Sequence, residues 1–152
     1  MRKGSKVITA IREHAAEAKL DALCTKVVEL LKESFDTYDW VGIYHVCGQN
    51  LNLGAYLGAP TEHEIIAIGQ GICGAAIQED ATVVVPDVSA DARHLACSPE
   101  TKSEIVVPVK SGDITFAEID IDSHKPNAFG DDDRKMLEEI AAILGARFWS
   151  EP

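Results

Sequence analysis

The sequence predicts one α+β domain: a central antiparallel sheet of about six strands, two long terminal helices on one face, and short helices and a loop over a pocket on the other. Three observations predict it. Apolar residues recur at three-to-four spacing near both ends, in Leu20, Leu23, Cys24, Val27, Val28, Leu31 and Phe35 and again in Met136, Leu137, Ile140, Ile143, Leu144 and Phe148. Between them, short β-branched and aromatic runs are separated by Gly, Pro, Asn and Asp. The 152 residues suffice for one core and are too few for two comfortable ones, so residues 1–152 are expected to form a single domain.

The elements follow in order. Residues 7–35 read as helix, broken near Lys19. Asp39–Val46 switches to strand character, Gly48-Gln49-Asn50 turns the chain, and Leu51–Leu57 pairs back as a hairpin. Ile65–Ile68 is a short strand that enters a glycine-rich turn at Gly69 and Gly71, followed by a short helix from Ile72 to about Gln78. Thr82–Val85 is a strand closed by Pro86-Asp87. Ser89–Lys102 is polar and without period, hence a loop. Glu104–Val109 and Ile114–Ile121 are strands around Ser111-Gly112-Asp113. Asp131-Asp132-Asp133 marks the start of the last helix, because carboxylates favour a helix N-terminus.

Composition excludes several functions. A net charge of −11 opposes binding to nucleic acid or to an anionic membrane surface. No apolar run approaches the ~18 residues of a membrane span. The N-terminal residues lack the apolar core of a signal peptide, so a cytoplasmic location is expected. The four cysteines, Cys24, Cys47, Cys73 and Cys97, form no CxxC pair and are expected as thiols, without a metal site or other cofactor.

Chemistry concentrates in three segments: Gly69–Gly74 (GQGICG), Ser89–Val109 and Glu118–Ser123 (EIDIDS). They place Cys97, Glu104, Asp120 and Asp122 around strands that otherwise read as buried. Carboxylates are seldom left inside a small domain without a task. Asp120 and Asp122 share one strand face by the period of two. A thiol in a polar loop among acids suggests redox sulfur chemistry on a small charged molecule. Cys24, on a helix stripe, and Cys47, beside a turn, read as structural.

WVGIY at 40–44, GQGICG at 69–74, HLACSPETKSEIVVPV at 94–109, EIDIDS at 118–123 and FGDDD at 129–133 resemble a GAF domain. More specifically they resemble the stand-alone free methionine-(R)-sulfoxide reductases. The distinguishing combination is HLAC, then SE with its glutamate seven residues after the cysteine, then DID starting sixteen residues further on. The resemblance implies Cys97 as the catalytic cysteine and Glu104, Asp120 and Asp122 as substrate-binding carboxylates. It also implies Cys73 as a second cysteine lining the pocket and Trp40 and Tyr44 as its aromatic wall.

Many members carry a further, resolving cysteine ten residues before that of GICG. Here that position is His63, as in a smaller subset of the family. Cys73 is then the candidate resolving thiol, or else an external thiol resolves Cys97 directly.

Chemically, Cys97 attacks the sulfoxide sulfur, and Glu104 supplies the proton because crowded carboxylates cannot all ionise. The remaining acids hold the substrate ammonium group. The N–H groups of the Gly69–Ile72 turn face its carboxylate. The expected partners are free methionine sulfoxide, thioredoxin or a similar thiol reductant, and a second copy of the chain. The dimer is expected because two apolar helix faces exceed what one small sheet covers. The alternative readings are a non-catalytic GAF module binding a small ligand, or a redox sensor switching through Cys73 and Cys97.

Overall fold

A computed structural model describes residues 2–93 and 99–151. Helices α1 (Arg2–Ala15) and α2 (Leu20–Ser34) precede strands β1 (Trp40–Cys47), β2 (Asn50–Leu57) and β3 (Ile65–Ala67). Helix α3 (Gly71–Glu79) and strand β4 (Val83–Val85) come next, then a 3₁₀ turn at Val88–Ala90. Strands β5 (Ser103–Ser111) and β6 (Ile114–Ser123) lead to helix α4 (Asp131–Ser150). The strands form one sheet in the order β3-β2-β1-β6-β5-β4, with every neighbouring pair antiparallel. This is the expected α+β, GAF-like architecture, with three rather than two long helices on the first face.

Strand alternation separates two cores. Val41 and Ile43 of β1, Ile105, Val107 and Val109 of β5, and Ala117, Ile119 and Ile121 of β6 face α1, α2 and α4. Trp40, Tyr44 and Val106 face the other way, against Ile72, Cys73 and Ala76 of α3. Positions 40, 42 and 44 of β1, 104, 106 and 108 of β5, and 118, 120 and 122 of β6 therefore line the α3 side.

The break between α1 and α2 falls at residues 16–19, and a distant segment closes it. Arg147 of α4 donates to the carbonyls of Ala15 and, at 2.8 Å, Ala18. Glu151 accepts the Leu20 N–H at 2.8 Å and pairs with Arg147 at 2.7 Å. The last carbonyls of one helix and the first amide of the next thus share one ion pair. At the start of α4, Asp133 accepts the Gly130 N–H at 2.9 Å and the Tyr38 hydroxyl at 2.5 Å. The expected capping role of the acidic triplet rests on this one residue.

Most of the apolar surface of the two helix stripes is covered within one chain, while Leu20, Phe35, Ile143 and Phe148 stay half-buried. Leu23, Val27, Leu31, Leu137, Ile140 and Leu144 are all 0% exposed within one chain. Helix α1 packs across α2 and α4 rather than on the sheet and covers part of their apolar surface. Trp149 of α4 is exposed.

Gly145 sets how closely α4 approaches the sheet. A Cβ there would lie 2.1 Å from the Lys110 carbonyl oxygen. Helix propensity gains about 1 kcal/mol for Gly→Ala, but overpacking against an immovable group costs about 1–3 kcal/mol or more. Gly145→Ala is expected to be destabilising, by about 1 kcal/mol or more net, in urea unfolding. A gain in stability would show that α4 slides freely on β5.

Candidate active site

A row of buried acids crosses the α3 side of the sheet. On β6, Glu118, Asp120 and Asp122 occupy successive even positions. Asp122 stands opposite Trp40 on β1 and Glu104 on β5. Asp120 stands between Gly42 and Val106, and Glu118 between Tyr44 and Pro108. All four acids are at most 5% exposed. Among the described residues no ion pair to Lys, Arg or His reaches Glu118, Asp120 or Asp122.

Helix α3 brings a thiol to this row. Cys73 lies in its first turn, and its Sγ–H donates to Asp120 Oδ2 at 3.1 Å. Donor atoms of Cys73, Glu104 and Asp120 all lie within 4.8 Å of one another. Both oxygens of Glu118, Oδ1 of Asp120 and Oδ1 of Asp122 are buried without a hydrogen-bond partner among the described residues. The first-turn amides of α3 lie on the same side of the sheet and lack intrahelical acceptors by geometry.

Burial dominates the electrostatics. It pushes the carboxyls of Glu104, Glu118, Asp120 and Asp122 well above the usual carboxylate range. Mutual repulsion adds to it: Asp122 acts on Glu104, Asp120 on Glu118 and on Asp122, and Glu104 on Asp120. Burial and then Asp120 push the Cys73 thiol up as well. Cys24, buried on α2, is pushed up to about 12, chiefly by burial, in keeping with a structural role.

These shifts have a sign. A folded state with raised carboxyl pKa values holds more protons than the unfolded chain once pH exceeds about 4, the ordinary carboxylate value. The stability associated with these groups is fully present below that pH. It is lost as pH rises through the folded-state values. Asp87 and Glu151 are lowered, by hydrogen bonds from Ser89 and from the Leu20 amide, and act oppositely, but only as pH falls through the acid range. Melting temperature above about pH 5 is therefore expected to fall with rising pH. Glu118→Gln, which removes one buried charge, should flatten that slope and stabilise more at pH 8 than at pH 5. Equal effects at both values would show that Glu118 titrates normally.

The aromatic wall is anchored at both ends. Trp40 donates its indole N–H to the Ala59 carbonyl at 3.0 Å and stacks on Tyr56 with centroids 5.7 Å apart. Tyr44 donates its hydroxyl to the His63 carbonyl at 2.7 Å. His63 thus meets the site through its backbone. The Trp40 ring lies over Gly42, where a Cβ would come within 2.3 Å of it. Trp40 and Asp122 line a cavity of about 60 Å³ with Thr61 and His124. A larger hollow of about 600 Å³ lies elsewhere, among Lys110, Arg134 and Glu138, and contains no thiol.

The structure thus brings together Trp40, Tyr44, Cys73, Glu104, Asp120 and Asp122. Cys97, the expected nucleophile, lies outside the described residues. The spacing of the cysteines gave no sign of a metal site, yet folding gathers one thiol and two carboxylates at ligand distances. Glu118 was missed as a site residue. The period of two that joined Asp120 to Asp122 reaches back to it.

A six-stranded antiparallel sheet with three long helices on one side and a buried acidic row beneath a short helix on the other is an α+β architecture of the GAF class. The sequence pattern of the GAF domain matches residues 19–148, and the chain belongs to that family. It is 41% identical over 119 residues to GAF domain-containing protein A of Dictyostelium discoideum, covering 78% of this chain and 74% of that protein. It is 38% identical to the free methionine-R-sulfoxide reductase of Saccharomyces cerevisiae, covering 70% of this chain and 61% of that one. A solved structure of free methionine-R-sulfoxide reductase from Neisseria meningitidis, in complex with its substrate, superposes with a TM-score of 0.92. It is 34% identical and covers 97% of this chain and 89% of that chain.

Proposed function

We propose that this protein reduces free L-methionine (R)-sulfoxide to methionine with a thiol as electron donor. The observation that carries the reading is the buried row of acids beside the aromatic wall, in a chain similar to reductases of that name. The Cys97 thiolate attacks the sulfoxide sulfur. Glu104, kept protonated by its surroundings, gives its proton to the sulfoxide oxygen. The protonated oxygen passes from the substrate sulfur to the Cys97 sulfur as the S–O bond and the transient S–S bond break, the S–S electron pair leaves with methionine, and Cys97 is left as a sulfenic acid. Asp120 and Asp122 receive the substrate ammonium group, and the first-turn amides of α3 its carboxylate. Trp40 and Tyr44 enclose the S-methyl end, and Cys73 completes the wall.

A second thiol then condenses with the sulfenic acid, releasing water, and the resulting disulfide is reduced by thioredoxin or a similar donor. An external thiol is favoured for this step over Cys73. A resolving thiol reacts as thiolate, whereas Cys73 is 5% exposed and its proton is held by burial and by Asp120.

The test is methionine formation from resolved sulfoxide diastereomers with dithiothreitol or thioredoxin. A peptide-bound sulfoxide lacks the free ammonium and carboxylate groups and should react far more slowly. Equal rates on free and peptide-bound sulfoxide would overturn this pocket, and no turnover of either would favour a ligand-binding or redox-sensing domain. We further propose that residues 1–152 act as one domain, in the cytoplasm, and as a homodimer. No described helix is long and apolar enough to cross a membrane. Light scattering at the monomer mass of about 16 kDa would refute the dimer.

A further inference from the structure

We propose that Cys73, Glu104 and Asp120 form a binding site for a thiophilic divalent cation of the zinc class. One thiol sulfur and two carboxylate oxygens already lie within 4.8 Å of one another. Tetrahedral bonds of about 2.0–2.3 Å place donor atoms about 3.3–3.8 Å apart. The Cys73–Asp120 edge, at 3.1 Å, is already at that scale.

A second observation points to a ligand. Glu118 is 0% exposed, and both its oxygens are buried without a partner among the described residues. Asp120, a member of the triad, is 1% exposed, and its Oδ1 is likewise buried without a partner among the described residues. An unpaired buried carboxyl is costly, and a cation between these groups would satisfy it while relieving repulsion along the row.

The donor set selects the cation. A sulfur ligand disfavours Mg²⁺ and Ca²⁺, which take oxygen shells, and favours Zn²⁺ or Cd²⁺. Binding exchanges the Cys73 S–H bond for a sulfur–metal bond, and the proton leaves to solvent. No electron is transferred. On the proposed function, the cation and the substrate ammonium group occupy the same acids, so zinc would inhibit reversibly. The site itself rests on packing and not on that reading.

The test uses cadmium as an optical probe, on protein in which Cys47 and Cys97 are both replaced by serine. Titration should give one equivalent of Cd²⁺, saturating at micromolar concentration, with a thiolate-to-cadmium charge-transfer band. Adding Cys73→Ser should abolish the band. Adding Glu118→Gln or Asp120→Asn should weaken binding by about 10-fold or more, the scale for losing a ligand or its support. Adding Cys24→Ala should leave the band intact, which keeps the test decisive if the Cys73 variant does not fold. No band at micromolar Cd²⁺, or a band that survives Cys73→Ser or disappears with Cys24→Ala, would overturn the site. Because absorption reports the metal directly, failure of the reductase reading leaves this result untouched. Sulfoxide turnover insensitive to bound cadmium, in protein carrying only Cys47→Ser, would overturn the shared-site inhibition.

Discussion

Cys97→Ser is expected to abolish sulfoxide reduction while leaving the far-ultraviolet circular dichroism unchanged. In the proposed mechanism oxygen passes from the substrate sulfur to an enzyme sulfur, and a serine hydroxyl is a poor nucleophile without an adjacent base. It also has no stable oxidised counterpart to the sulfenic acid. The loss should be at least about 10³-fold in kcat, the scale on which removing a nucleophile acts. No other cysteine is expected to substitute. Cys24 is buried under α2, and Cys73 is held as a neutral thiol on Asp120. Cys47 is exposed at the end of β1, remote from the acid row by strand register. Turnover in Cys97→Ser within tenfold of the parent protein would sink the assignment of the nucleophile.

Asp120→Asn is expected to separate activity from stability. Asp120 sits at the centre of the row, with Cys73 on one oxygen and Glu104 close by. Asparagine keeps the shape and removes the charge that would hold the substrate ammonium group. kcat/KM on free methionine sulfoxide should fall by about 10²-fold or more, within the range for general acids and their supports. The melting temperature at pH 8 should rise, because one member of a mutually repelling, desolvated group no longer has to be charged. Loss of activity accompanied by loss of stability would mean that Asp120 is only a packing element. Unchanged activity would remove the acids from the mechanism altogether.

Most of the fold was legible because its signals are local. The apolar stripes of α2 and α4, the change to period two at β1, and the glycine-rich entry to α3 each reside within a few turns of chain. The period of two also placed Asp120 and Asp122 on one face before any pairing was known. Extended by one step it would have included Glu118.

Other features needed the tertiary structure, because they depend on strand register and on contacts between remote segments. Nothing near Glu104 in sequence puts it opposite Asp122, and only the β5–β6 register does so. Cys73 precedes Asp120 by forty-seven residues, yet their side chains share a proton contact once α3 docks on the sheet. The glycine of WVGIY had no local reason; the Trp40 ring folded over it supplies one. The α1–α2 break was visible near Lys19, but its closure by Arg147 and Glu151 was not. The sequence by itself determined which residues alternate, which stripes must be buried and which residue types carry chemistry, since these follow from the backbone repeat and side-chain polarity. Which acids are neighbours, how far they are shielded from water and therefore how strongly they hold their protons was decided only by the folded chain, because Coulomb repulsion and desolvation depend on distance and burial and not on order along the chain.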